Sequence, residues 1–234
     1  MQIEISSVSK TLGTLHTLDN ISLHVGEEEF VVILGPSGCG KSTLFNIIAG
    51  LITPDSGRVL INGKDLTGKT GKISYMQQKD LLLPSRRLLD NVSVPLLLKG
   101  LNKQAARSQA REYLPVFGLE EFSDHYPRQL SVGMRQRAAL LRTFLFSREF
   151  LLLDEPFASL DAITRRKMHL WLKEIQQLFH SAILFITHDI DEALLLADRI
   201  YVFSERPAHV KREIKLTPEA DNKAVKAEIL ALLG

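Results

Sequence analysis

Phe30-Val31-Val32-Ile33-Leu34-Gly35-Pro36-Ser37-Gly38-Cys39-Gly40-Lys41-Ser42-Thr43 carries an unbroken apolar run straight into a glycine-rich turn. Apolar residues without alternation predict a strand buried on both faces, the kind found in parallel sheets. The stretch from Gly35 to Ser42 fits the phosphate-binding loop, a strand-to-helix turn whose backbone N–H groups surround an anion. Glycine at 35, 38 and 40 lets the backbone curl tightly and approach phosphates, with Pro36, Ser37 and Cys39 between them. In such a loop Lys41 reaches the β- and γ-phosphates of a nucleoside triphosphate, Ser42 ligates Mg²⁺ and Thr43 adds a phosphate contact. A helix over Ser42–Ala49, stopped near Gly50, completes the unit.

Leu151-Leu152-Leu153-Asp154-Glu155 places two carboxylates at the end of a second buried strand, where open parallel sheets bind ligands. Asp154 suits Mg²⁺, directly or through water, and Glu155 can polarise a water aimed at a γ-phosphorus. Neighbouring side chains on a strand point to opposite faces, so the chain must turn at Glu155, and Pro156 agrees with that.

The remaining segments suggest how these two motifs meet. Ile3–Val8, Ile21–Val25, Arg58–Ile61 and Lys72–Met76 read as strands and imply a mixed sheet with an antiparallel portion near the amino terminus. From about Leu88 to Phe146 the chain is rich in Leu, Ala, Gln and Arg, with helices expected over Lys103–Phe117 and from about Ser131 to Phe146. Strand and helix then alternate: Phe150–Leu153, Ala162–Leu178, Ala182–Ile186, Asp189–Ala197 and Arg199–Phe203. Such alternation implies parallel strands with crossover helices. A short amphipathic helix is expected over Glu219–Leu233.

Composition narrows the class. The 29 basic and 27 acidic residues leave a net charge of +2, too even to argue for nucleic acid as a partner. The single cysteine, Cys39, excludes an intrachain disulfide framework and fits a reducing compartment. No secretory signal is visible, and no apolar run approaches the roughly 18 residues needed to span a bilayer. Cys39 lies inside the phosphate loop, which predicts that a bulky thiol reagent blocks nucleotide binding.

Taken alone, Leu130-Ser131-Val132-Gly133-Met134-Arg135-Gln136-Arg137 is a helix beginning, with Ser131 a natural N-cap and the first N–H groups an anion site. Standing between the phosphate loop and Asp154-Glu155, it resembles the signature motif of ATP-binding-cassette (ABC) ATPases, usually Leu-Ser-Gly-Gly. Val132 replaces the first glycine. The resemblance covers nearly the whole chain. Tyr75-Met76-Gln77-Gln78 resembles the glutamine loop, with Gln78 at the matching offset from Leu82-Leu83-Pro84. Ser159-Leu160-Asp161 resembles the D-loop, and Ile186-Thr187-His188-Asp189 resembles the switch histidine after the last core strand.

This resemblance implies an α/β fold: a P-loop NTPase core with a mixed sheet, an antiparallel β subdomain near the amino terminus and an inserted α-helical subdomain. The core would comprise 1–86 and 147–234, and the helical subdomain about 87–146. It further implies an ATPase that uses ATP and Mg²⁺ and works as a head-to-tail dimer. Ser131 and Gly133 of one copy would meet the phosphate held by Lys41 of the other, with Asp161 at the interface. Gln78 would sense Mg²⁺ and the attacking water, and Glu155 and His188 would position that water. Membrane permease subunits would dock in a groove near Gln78–Ser85, holding the chain at the cytoplasmic side of the inner membrane. A substrate-binding protein would act indirectly through them.

Some residues depart from the family pattern. Leu12 stands where an aromatic normally stacks on adenine, and Ser85 where related importers often have tryptophan. Leu81–Leu83 and Leu96–Leu98 could line the permease groove or simply form the core of the helical insertion. Leu81-Leu82-Leu83-Pro84, Tyr126-Pro127-Arg128-Gln129-Leu130-Ser131 and Phe203-Ser204-Glu205-Arg206-Pro207 look most like the nitrate/sulfonate/taurine type of uptake system. A soluble non-transport ABC ATPase and an exporter subunit are the alternative readings.

Overall fold

The computed structural model describes residues 2–217 and 221–233. From the amino terminus, β1 (Ile3–Leu12) and β2 (Leu15–Val25) form a hairpin, and β3 (Phe30–Leu34) runs through the glycine turn into α1 (Lys41–Ile48). Strands β4 (Ser56–Ile61), β5 (Lys64–Asp65) and β6 (Ser74–Met76) precede a helical block. That block holds α2 (Leu88–Val92), α3 (Val94–Leu98), α4 (Lys103–Tyr113) and α5 (Val132–Phe146). The chain then alternates through β7 (Phe150–Asp154), α6 (Ala162–Phe179), β8 (Ala182–Thr187), α7 (Ile190–Leu196) and β9 (Arg199–Phe203). It ends with β10 (Val210–Lys215) and α8 (Asn222–Leu233). The expected tail helix is thus seen from Asn222, while positions 219 and 220 lie outside the described residues.

The strands fall into two sheets. One is antiparallel in the order β2-β1-β4-β5, and the other runs β10-β9-β3-β8-β7-β6. In the second sheet β3, β6, β7, β8 and β9 are parallel and only β10 is antiparallel. The antiparallel sheet near the amino terminus is the β subdomain that the resemblance implies, while β6, within Lys72–Met76, joins the mixed sheet of the core instead.

Alternation along the central strands divides the interior. Phe30, Val32 and Leu34 face one core, shared with Leu153, Phe185 and the helices α5 and α6, while Val31 and Ile33 face the other. That second core holds α1 and the antiparallel sheet. Burial on both faces of β3 is what its unbroken apolar run requires. Both cores are made in part by β3, so the turn that leaves it is anchored on two sides.

Four elements differ from the pattern read in sequence. Helices α2 and α3 are each too short for a periodic signal, and Pro95 sits in the first turn of α3, where its missing N–H costs nothing. Helix α4 stops at Tyr113 because Pro115 supplies no donor, and the chain turns at Gly118 with φ +62°. Strand β10, Val-Lys-Arg-Glu-Ile-Lys, is too charged to stand out as a strand in the sequence, yet it forms the sheet edge, where charges discourage pairing with another chain.

Candidate functional site

The phosphate loop is clamped between β2 and β9. A Cβ on Gly40, where φ is +128°, would lie 2.9 Å from Leu18 Cδ2 and 3.0 Å from Thr17 Cγ2. One on Gly35 would lie 2.9 Å from Phe203 Cβ. Both positions therefore need glycine for close approach, and the backbone is free to present N–H groups inward. Lys41 is buried and folded back on its own loop, donating to Gly35 O at 2.7 Å and Pro36 O at 2.8 Å. Neutral carbonyls are weaker partners for an ammonium than phosphate oxygens, so an entering triphosphate would displace them.

Ser37, Gly38, Gly40, Lys41, Ser42, Thr43, Gln78, Asp154 and Glu155 together line one cleft of about 370 Å³. Asp154 ends β7, buried, with Tyr75 Oη donating to its Oδ2 at 3.3 Å. Burial pushes the Asp154 carboxyl up, with the Glu155 charge adding to it, while the Ser42 hydroxyl and Tyr75 hold it back. Burial, together with the Asp154 charge, pushes the Tyr75 phenol up as well. A cation beside Asp154 would relieve that cost. Ser42, Asp154 and Gln78 offer oxygen donors of the kind Mg²⁺ prefers, with one carboxylate and room for phosphate oxygens. Among the described residues no group of three or more His, Cys, Asp or Glu forms a metal cage.

Glu155 takes φ +44°, a left-handed conformation uncommon for a residue with a side chain. This turn swings its carboxylate back toward the cleft. Its Oε2 accepts from Gln78 Nε2 at 3.4 Å, and its Oε1 lies 3.2 Å from His188 Nδ1. Gln78 lines the cleft, whereas Gln77 does not.

The other end of the cleft contains residues that sequence reading missed. Leu12 is joined by Leu15, its partner across the β1–β2 hairpin, and by Thr17. Arg206 returns from the far side of the chain, donating through Nε to Gly38 O at 3.0 Å and through Nη2 to the same oxygen. No local pattern around Arg206 signals this contact.

Cys39 does not face the cleft. Its side chain is 2% exposed within the second core, and burial raises its thiol pKa. The expectation that a bulky thiol reagent would block the site is thereby corrected, because the reactive thiolate is both scarce and out of reach.

Ser131, Gly133 and Asp161 lie away from this cleft. Ser131 caps α5, its Oγ accepting from Met134 N at 3.2 Å. Asp161 caps α6, accepting from Ile163 N and Thr164 N, bonds that hold its carboxyl below the usual range. Gly133 has ordinary helical backbone, and a Cβ there would meet only Thr164 Cγ2 at 3.9 Å. Among the described residues nothing demands glycine at 133.

The leucines after Gln78 and on α3 differ in exposure. Leu82 and Leu96 are buried in the core, while Leu81, Leu83 and Leu98 are exposed. Arg142 on α5 donates to Leu81 O at 2.8 Å and Asp80 O at 2.6 Å, and Arg135 pairs with Asp80 at 3.2 Å. The segment after Gln78 is thus fastened to the helix that Ser131 begins.

Among known proteins, the family profile described as ABC transporter matches residues 18–158. The chain is 45% identical to the formylaminopyrimidine import ATP-binding protein ThiZ of Halalkalibacterium halodurans, over 88% of this chain and 80% of the relative. It is 40% identical to the nitrate import ATP-binding protein NrtD of Synechocystis sp., over 97% of this chain and 86% of the relative. A solved dimeric structure of MJ0796, a bacterial ABC transporter cassette, matches with TM-score 0.79 and 33% identity, over 92% of this chain and 99% of that one. With a phosphate loop and a strand-end carboxylate in one cleft and these relatives on both sequence and structure, the chain belongs to the ABC transporter family, as an ATP-binding, ATP-hydrolysing subunit.

Proposed function

We propose that this chain energises uptake of a small solute through separate membrane subunits, binding two ATP molecules between two copies of itself. The observation that carries the hydrolytic reading is the convergence of Gln78 and His188 on the Glu155 carboxylate, beside the phosphate loop. In this reading Lys41 and the loop N–H groups hold the β- and γ-phosphates, and Glu155 takes a proton from a water that His188 and Gln78 help to place. Mg²⁺, held by Ser42, Asp154 and Gln78, would neutralise charge on the phosphates. Leu12 and Leu15 would contact the base.

The second copy is favoured by Gly133. A glycine that its own chain does not require is explained by close approach of another molecule, and the adjacent Ser131 hydroxyl and helix N-terminus suit a phosphate. The helical block, about 87–146, would form the signature subdomain on the core of 1–86 and 147–234. Exposed Leu81, Leu83 and Leu98 would give the membrane subunits an apolar seat near Gln78–Ser85. Among the described residues no helix is long and apolar enough to cross a membrane. Docked on those subunits, the chain would act peripherally, at the cytoplasmic face. Import is favoured over export by the relatives named for import of formylaminopyrimidine and nitrate. A sulfonate, nitrate, taurine or pyrimidine-like molecule is the expected cargo, delivered by a substrate-binding protein.

The test is Glu155→Gln. It should bind ATP, hydrolyse it very slowly and accumulate an ATP-dependent dimer on a sizing column. A variant that stays monomeric with ATP bound and turns over normally would overturn both the hydrolytic role and the sandwich.

A further inference from the structure

Behind Glu155 lies a second polar cluster that the hydrolytic reading does not use. Thr187 ends β8, buried, immediately before His188. Its hydroxyl donates to Glu192 Oε2 at 2.6 Å and accepts from Asp189 N at 3.0 Å. The main chain on both sides of His188 is thereby tied to one hydroxyl, and that hydroxyl to Glu192. The other carboxylate oxygen, Oε1, faces α6, 3.7 Å from Arg165 Nη1 and 3.6 Å from Nε2 of the buried His169.

Arg165 holds a second segment. It donates through Nη2 to Leu160 O at 2.7 Å and to Ala158 O at 3.4 Å, gripping the loop between Glu155 and α6. Ser159 in that loop accepts from Gln136 Nε2 of α5 at 3.4 Å. Burial holds His169 down to about 4, so it is neutral near pH 7 and Arg165 is the cation that balances Glu192. The rings of Phe157 and Phe185 pack against His169, which leaves the cluster little room to rearrange.

We propose that Glu192 is a positioning residue: through Thr187 it sets the place of His188 beside Glu155, and through Arg165 it makes that place depend on the loop Ala158–Asp161. The proposal rests on the reading of Glu155 and His188 as the hydrolytic pair. In that reading the loop approaches the second copy, so Glu192 carries the loop's position to the histidine. A cluster that merely fastened α6 to α7 would affect melting but not turnover at saturating ATP.

Thr187→Val in the full chain removes the hydroxyl at nearly constant volume. Its kcat for ATP hydrolysis should fall about 10- to 100-fold with KM little changed, since misplacing a reacting group by about an ångström costs that much. Thr187→Ser, which keeps the hydroxyl, should restore most of the rate. Glu192→Gln tests the other arm, because it keeps a hydrogen-bonding oxygen for Thr187 but loses the charge facing Arg165; its kcat should also fall with KM little changed, so the proposal stays testable should Thr187→Val not fold. The proposal is overturned if both variants turn over like the parent, or if they lose stability and rate together with no rescue by serine. Glu155→Gln in the same assay separates the two levels: if it remains active, the hydrolytic reading fails, and if it is inactive while Thr187→Val and Glu192→Gln both turn over normally, only the positioning role fails.

Discussion

His188 and Glu155 leave adjacent parallel strands and meet, with Nδ1 3.2 Å from Oε1. The register of β7 on β8 pairs Asp154 with Ile186, and Glu155 N donates to Ile186 O at 3.1 Å, so the two turns begin side by side. The His188 side chain is 54% exposed and that of Glu155 17%; Glu155 lines the cleft, and His188 reaches it through Glu155. His188→Ala should therefore leave the fold intact while lowering kcat by about 10²-fold or more, the usual contribution of a positioned acid–base partner. Steady-state ATPase rates beside a thermal melt check this. A variant that melts and turns over like the parent would remove His188 from the site.

Val132 is the first residue of α5 and exposed, in a position where its β-branch stiffens the backbone without removing any hydrogen-bonding group. The cap at Ser131 does not involve its side chain. Val132→Gly should accordingly shift the ATPase rate by no more than a few-fold. A large gain would mean that the native motif is impaired by the substitution.

Leu12 and Leu15 form the apolar end of the cleft, with no aromatic side chain among its lining residues. Leu12→Tyr should tighten ATP binding, by up to about 1–3 kcal/mol if the ring stacks fully on the base. Titration with a fluorescent ATP analogue measures it, and catalysis at saturating ATP should not change. Unaltered affinity would show that the base lies elsewhere.

Much of the fold and of the cleft could be read from sequence because short segments fix them. The apolar run of β3 and the glycines after it specify strand, turn and helix without help from distant residues. Arg206 and Leu15 were invisible for the opposite reason, since only the return of the chain after β9 and the closing of the β1–β2 hairpin bring them to the loop. Cys39 was misjudged because a loop position does not reveal which way a side chain points. Here Sγ would lie only 3.5 Å from a Cβ on Gly35, turned into the core. No local pattern marks His169, because its contacts with the rings of Phe157 and Phe185 depend wholly on tertiary packing.

Burial gives His169 a measurable effect on stability. Its folded pKa is depressed from 6.5 to about 4, chiefly by desolvation and also by Arg165. A depressed value means that the unfolded chain binds the proton more readily, so this contribution is complete above pH 6.5 and is lost as pH falls toward 4. The raised pKa of the neighbouring Glu192 acts in the opposite sense. His169→Phe keeps an aromatic ring between Phe157 and Phe185 and removes the titrating group. Urea unfolding at pH 7 and pH 4.5 should show the parent losing about 2 kcal/mol more than this variant over that interval. Equal losses in the two proteins would mean that His169 is not held neutral by the fold.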